Sequence, residues 1–142
     1  MNRMMRLSPS LFFTTNCEPA LAFYEQCGLG RATILLRWGD NNMPVRTEAM
    51  RAKVLHARFE GPGVLFHASD NDDAEPMKGS AMMLEFDGPT AAPAVFAREE
   101  LFARMAEGGR ITVPFARQYW GTSFGMLVDA FGVQWMFSCS KE

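Results

Sequence analysis

The chain has 142 residues, with 14 basic and 16 acidic side chains and a formal net charge of −2. That length fits one domain, which can bury roughly 68–70% of its unfolded surface. The even charge balance disfavours nucleic acid as a partner, because phosphate binding needs clustered positive charge.

Three cysteines, Cys17, Cys27 and Cys139, form no disulfide framework and read as reduced thiols. Cys17 and Cys27 bracket a helix and lie roughly 15 Å apart, too far to bridge. There is no C-x-x-C pair for a closed zinc site. The first seven residues are basic but lack the apolar run of a signal peptide, and no window is long enough to span a membrane. The expectation is a cytoplasmic protein without a membrane partner. Eleven methionines and twelve phenylalanines are many. Most are expected in the core and at a subunit interface, with a plastic ligand pocket as the sharper alternative.

In chain order, Leu7 to Thr15 is apolar and β-prone and predicts a strand. Asn16 can cap a following helix, with Glu18 in its first turn and Pro19 where proline is tolerated. Ala20, Phe23, Tyr24 and Cys27 follow helical spacing, and Gly28 and Gly30 end the helix. Arg31 to Trp38 is a second strand, apolar enough to suggest burial on both faces. Gly39 to Ala52 is a polar excursion with a helical turn around Thr47 to Arg51. Lys53 to Glu60 and Val64 to Ser69 are strands joined by Gly61-Pro62-Gly63. Asp70 to Gly79 reads as a solvated linker; it lacks the spacing of a calcium loop.

The same order then restarts. Ser80 to Asp87 is a strand and Gly88-Pro89-Thr90 a turn. Pro93 to Glu107 is an amphipathic helix, with Ala94, Ala97, Leu101 and Met105 on one stripe and Phe102 beside it. Gly108-Gly109 ends it. Arg110 to Arg117 is a strand, followed by a loop holding Tyr119-Trp120-Gly121. Met126 to Val128 and Val133 to Phe137 form a closing hairpin. Asp129 can bond backbone N–H groups ahead of it, and Gly132 accepts positive φ. Each half therefore reads strand, helix, strand, strand, strand: residues about 1–70, a linker about 71–79, and residues about 80–142. Two such halves in one domain make an α+β protein with a cleft between curved sheets. No G-x-G-x-x-G, P-loop or G-x-S-x-G pattern is present.

Several local words occur in this order: N-C-E-P-A-L-A-F-Y-E (16–25), R-W-G-D (37–40), M-P (43–44), K-V-L-H-A-R-F (53–59), A-S-D (68–70), W-G-T-S-F-G (120–125) and D-A-F-G-V-Q-W (129–135). Together they resemble the vicinal oxygen chelate superfamily, the glyoxalase/bleomycin-resistance/dioxygenase fold, in its PhnB-like branch. Two departures stand out. Ala130 occupies the place of a usual proline after Asp129, and Cys27-Gly28-Leu29-Gly30 replaces a Phe-Gly-Gly helix ending.

The resemblance implies two β-α-β-β-β modules forming cupped mixed sheets, a homodimer, and a ligand in the cup. It places the metal positions of the metal-dependent enzymes near Pro9, Phe66, Ser80 and Met136, none of which is a good ligand. A slip of one residue would bring in His67. No cofactor is expected, and no run resembles the glycine-rich loop that a methyl donor would need, although some PhnB-like sequences carry a ubiquinone-methyltransferase label.

The leading expectation is a metal-free binder of a small apolar or aromatic molecule. Its lining is expected from Trp38, His56, Phe66, Met82, Trp120, Phe124 and Met136. Trp38 and Trp120 each neighbour a glycine and read about equally as packing aromatics or as flat walls. His56 and His67 read first as half-buried strand residues bonded to backbone, and second as pocket acid/base groups. Arg37, Asp40, Asp70 and Arg117, at strand ends, are expected to be solvated. Cys17 has no evident histidine partner for nucleophilic work. Two alternatives stay open: a metal-dependent lyase or dioxygenase using His56 or His67 with a carboxylate such as Glu85, and a structural dimer module without ligand.

Overall fold

The fold is that of a computed structural model, which describes residues 5–73, 75–88 and 96–139. Eight strands and two α-helices follow one another as β1 (Ser10–Phe13), α1 (Cys17–Gln26), β2 (Arg31–Arg37), β3 (Val54–Gly61), β4 (Val64–Asp70), β5 (Met82–Phe86), α2 (Arg98–Met105), β6 (Arg110–Arg117), β7 (Ser123–Val128) and β8 (Gln134–Cys139). They make two four-stranded mixed sheets ordered β1-β4-β3-β2 and β5-β8-β7-β6. In each, the first strand pairs parallel with the last and the remaining pairs are antiparallel. The expected duplication of a β-α-β-β-β module is therefore the architecture.

The chain divides into two compact units. One holds the described residues of Met1–Ala22 and Gly30–Ala74, the other Phe23–Leu29 and the described residues from Glu75 onward. Helix α1 contributes its first part to the first unit and its last turn to the second. The break between residues 74 and 75 falls within the span read as a linker, about 71–79, and it is Phe23–Leu29 that crosses to the other unit.

In the first unit, Asp70 ends β4 fully buried, at odds with the solvated linker expected to begin there. Its Oδ1 accepts the Cys17 N–H at 2.9 Å and its Oδ2 the Val54 N–H at 3.0 Å. Its carbonyl accepts the Trp38 indole N–H at 2.8 Å. Asn16 stands before the helix, and its carbonyl accepts the Ala20 N–H. The acceptor for the first helical N–H is nonetheless a carboxylate 53 residues away, filling a role that helix starts always leave open. Val54, Ala57, Phe59, Phe66 and Ala68 are buried on the Asp70 side of the sheet. Phe59 and Phe66 stack there at 5.0 Å. β2 runs along the sheet edge. Its middle is not buried on both faces: Leu35 and Leu36 are 41% and 39% exposed, because an edge strand has no neighbour on its outer side to cover them.

In the second unit, Asp129 plays the organising part. Its Oδ1 accepts the N–H groups of Phe131 and Val133 at 2.9 and 3.0 Å. Its Oδ2 accepts the Trp135 indole N–H at 2.9 Å and the Tyr24 hydroxyl at 2.5 Å. Gly132, with φ of 90°, closes the turn; a side chain there would be strained. Trp135 is buried, and Tyr24 packs edge-on against it at 5.3 Å. The other half of this core is Phe102 of α2, edge-on to Phe137 at 5.0 Å and stacked on Phe115 at 5.4 Å. Gly125 lets that layer close. A Cβ built on it would lie 2.7 Å from Phe115 Cα and 2.9 Å from Phe102 Cε1. On α2, Leu101, Phe102 and Met105 are buried as expected, while Ala97 is the exposed residue before the helix. Pro89, Thr90, Pro93 and Ala94, assigned to a turn and a helix start, lie outside the described residues.

Replacing Asp129 with Ala strands three buried donors and one half-buried one, and a cost of about 3–5 kcal/mol is expected. Tyr24→Phe removes one charge-assisted bond and should cost about 1–2 kcal/mol. Urea unfolding followed by tryptophan fluorescence measures both. Asp129→Ala matching wild type within error would show that the carboxylate is not the anchor described.

Candidate functional site

Strand alternation sorts each sheet into a helix-bearing face and an open face. The sequence-expected lining residues divide between the two. Phe66 lies on the buried side of the first sheet, stacked on Phe59. Met82 pairs in register with Trp135 and so shares the side against which Tyr24 packs. Trp38 sits just past β2, half-buried, its N–H held by the Asp70 carbonyl. His56, Phe124 and Met136 lie on open faces, half-buried. Trp120 is 53% exposed on the β6–β7 loop.

That loop is a folded turn. The Gln118 N–H donates to the Thr122 carbonyl and the Gly121 N–H to the Gln118 carbonyl. The Gln118 side chain donates to the Ala116 carbonyl at 2.9 Å and reaches the Phe124 carbonyl at 3.4 Å. Gly121, at φ 98°, provides the left-handed residue. The turn presents Tyr119 and Trp120 edge-to-face at 5.0 Å, and Trp120 leads on to Phe124 at 6.2 Å.

The ladder of three rings meets a row that the sequence reading missed. Met83 pairs with Met136, Met136 with Met126, and Met126 with Val113. Directly opposed residues of a sheet share a face, so three methionines and a valine cross all four strands of the second sheet on its open side. Met83 is 48% exposed. Glu85 and Ser138, another registered pair, stand beside the row on the same side. The signal for Met83 and Met126 is their alternation with half-buried Leu84 and buried Leu127. Only the register joins them to Met136.

The first sheet's open side carries polar groups among Phe12, Leu36 and Leu65. His67 is opposite Arg58 and beside Ser10. His56 Nε2 lies 3.1 Å from His67 Nδ1, and the two rings stack at 5.2 Å. Neither histidine bonds backbone through those atoms, in contrast to the backbone partners expected for them. Of the four inferred metal positions, Phe66 faces the core and Met136 the methionine row. No three His, Cys, Asp or Glu side chains converge on a metal-sized space among the described residues, so the residues present do not make a metal-ligand set. Glu85 belongs to the second unit, and His56 and His67 to the first.

A groove of about 460 Å³ opens in the first unit where α1 begins, lined among others by Thr15, Pro19, Ala22 and Ala52. The Glu18–Arg37 pair crosses it. Arg37 grips both carboxylate oxygens at 2.9 and 3.0 Å and donates to the Ala52 carbonyl at 2.7 Å. That hydrogen bond holds the Glu18 carboxyl below its usual range. Both ends are spent on each other. Below them Cys17 is pushed up to about 12, first by burial and then by the Asp70 and Glu18 charges. Cys27, in the second unit, is pushed up to about 11, mainly by burial. Burial, followed by the Asp129 charge, also raises the Tyr24 phenol. Neither thiol is set up as a nucleophile, since the thiolate is the reactive form.

No family model matches the chain. It is 32% identical to protein PA1353 from Pseudomonas aeruginosa, whose crystal structure superposes with a TM-score of 0.79, covering 98% of this chain and 100% of that one. It is 26% identical to Protein YjdN of Escherichia coli strain K12, over 97% of each chain. A PhnB protein from Bacillus cereus, which carries the provisional label 3-demethylubiquinone-9 3-methyltransferase, shares the fold at a TM-score of 0.70 and 22% identity, over 96% of this chain and 100% of that one. So does a glyoxalase/bleomycin resistance protein/dioxygenase superfamily member from Sphaerobacter thermophilus, at 0.57 and 17%, over 97% and 100%. The chain belongs to one family with PA1353 and has the fold of the PhnB protein and of the glyoxalase/bleomycin resistance protein/dioxygenase superfamily member.

The raised thiols and phenol give stability a defined alkaline limit. Folded-state values lie above the ordinary thiol value of 9.0. Their contribution is therefore full below about pH 9 and lost as pH rises from there toward 11 and 12. The urea midpoint should stay level up to about pH 9 and then fall, each raised thiol adding about 1.4 kcal/mol per pH unit to the slope. Cys17→Ala should make the fall shallower. A slope unchanged by that substitution would remove Cys17 from the account.

Proposed function

We propose that this protein binds a small apolar or aromatic molecule against the open face of its second sheet, without a metal ion. The observation that supports the reading is the registered row Met83–Met136–Met126–Val113 with the Tyr119–Trp120–Phe124 ladder at its side. Methionine side chains are unbranched and polarisable, so a row of them adapts to different flat or oily shapes. Aromatic rings at the edge add a stacking wall at little cost in conformational freedom. Such a surface recognises shape and polarisability. The row itself is apolar, and the carboxylate in register beside it, Glu85, is exposed.

The exposed leucines of edge strand β2 support a second proposal, that the protein works as a homodimer. An unpaired apolar edge is a place where another chain adds.

Two measurements test these readings. With methyl-labelled methionine, neutral aromatic fragments should shift the signals of Met83, Met126 and Met136 and leave most of the eleven methionines still. Trp120→Ala should weaken the best fragment about tenfold. Shifts confined to other methionines, or a fragment indifferent to Trp120→Ala, would move the site elsewhere. In sedimentation, wild type should run as a dimer, and Leu36→Lys should favour the monomer; a wild-type monomer at high concentration refutes the dimer.

A further inference from the structure

The open side of the first sheet carries a different chemistry. His56, Arg58 and Glu60 follow one another on β3 at alternate positions, and His67 lies across from Arg58 on β4. Ser10 on β1 pairs with His67, and Thr33 on β2 with Arg58. These residues share one face, as their alternation with buried Ala57, Phe59, Phe66 and Ala68 requires. The charged groups on it are Arg58, Glu60 and, opposite Glu60, Arg31.

Two details give this patch a direction. Arg58 Nε is buried without a hydrogen bond. Glu60 Oε1 is 3.1 Å from it, but that contact lacks the alignment of a hydrogen bond and counts as an ion pair between two substantially exposed side chains, worth little. The N–H therefore retains an unmet need for an acceptor. The second detail is the 3.1 Å contact between His56 Nε2 and His67 Nδ1. Only one of those nitrogens can carry the proton between them, because two N–H groups would repel. In the neutral pair one outer nitrogen then donates and the other accepts. Which histidine donates outward is fixed by whatever sits beside it.

We propose that this face binds an oxyanion, the carboxylate or phosphate group of a small molecule, held by Arg58 and by His67 Nε2–H. The guanidinium fork suits a two-oxygen anion. An oxygen beside His67 requires its Nε2 to carry hydrogen, so its Nδ1 becomes the acceptor of the bond from His56 Nε2–H. One anion thus sets both tautomers. The arginine on the same face works against the opposite occupant, a metal cation held by the two imidazoles. The proposal rests on the first unit alone and does not depend on the ligand assigned to the second sheet.

The test is nitrogen-15 NMR of the histidine rings in the full chain, titrated separately with benzoate and with inorganic phosphate. A saturable change that leaves His56 and His67 both in the Nε2–H form is expected with at least one of them, and the better one identifies the source of the oxyanion. Arg58→Gln should weaken binding about tenfold or more, and Arg58→Lys, which keeps the charge without the fork, should fall between. His67→Gln should lose the tautomer signature at His56, and circular dichroism of each variant controls for folding. Three outcomes overturn the proposal: no saturable change with either anion, equal binding by folded Arg58→Gln, or stoichiometric zinc uptake by His56 and His67 that neither anion opposes.

Discussion

One carboxylate, that of Asp129, fixes the second unit. It sits where β7 turns into β8 and takes four donors, two from its own turn, one from the indole of Trp135 and one from the phenol of Tyr24 at the end of α1. A buried charge is tolerable only when its lone pairs are filled. Asp129 therefore dictates the turn, the ring orientation of Trp135 and the seat of the last helical turn together. The neutral, raised phenol of Tyr24 follows from the same cause, since burial next to a carboxylate keeps its proton in place. In the first unit Asp70 does comparable work with different partners: a helix start, the start of β3 and an indole.

With these anchors on one face of each sheet, the opposite faces are released from core duty. The two open faces then diverge. The first carries His56, Arg58, His67 and Ser69 in positions where the second carries methionines, Phe124 and Ser138. A duplicated architecture thus keeps its folding requirements on the helix-bearing sides and varies its chemistry on the open sides. The second open face carries an adaptable apolar row and the first a donor-rich patch.

Much of the fold was legible because its signals are local. The Asp129–Gly132 turn involves bonds two and four residues away. The period of α1, the Gly61-Pro62-Gly63 hairpin and the short helical turn Glu48–Ala52 before β3 are read the same way. Misreadings share one feature. The burial of Asp70 depends on a helix start 53 positions earlier. The exposure of Leu35 and Leu36 depends on β2 lying at an edge. Phe66 and Met82, expected in the lining, lie on the helix-bearing side, because a shift of one position along a strand exchanges faces.

By itself, the order of amino acids determined two β-α-β-β-β repeats, the turns between their strands and the side chains from which any site must be drawn. The tertiary structure alone decided which of those side chains share a surface. Face and register come from pairings between strands far apart in the chain, as between Met83 and Met136, and no short stretch of sequence contains them. His56 and His67 look like separate half-buried residues when read along the strand. They became a proton-sharing pair only when β3 and β4 were laid side by side.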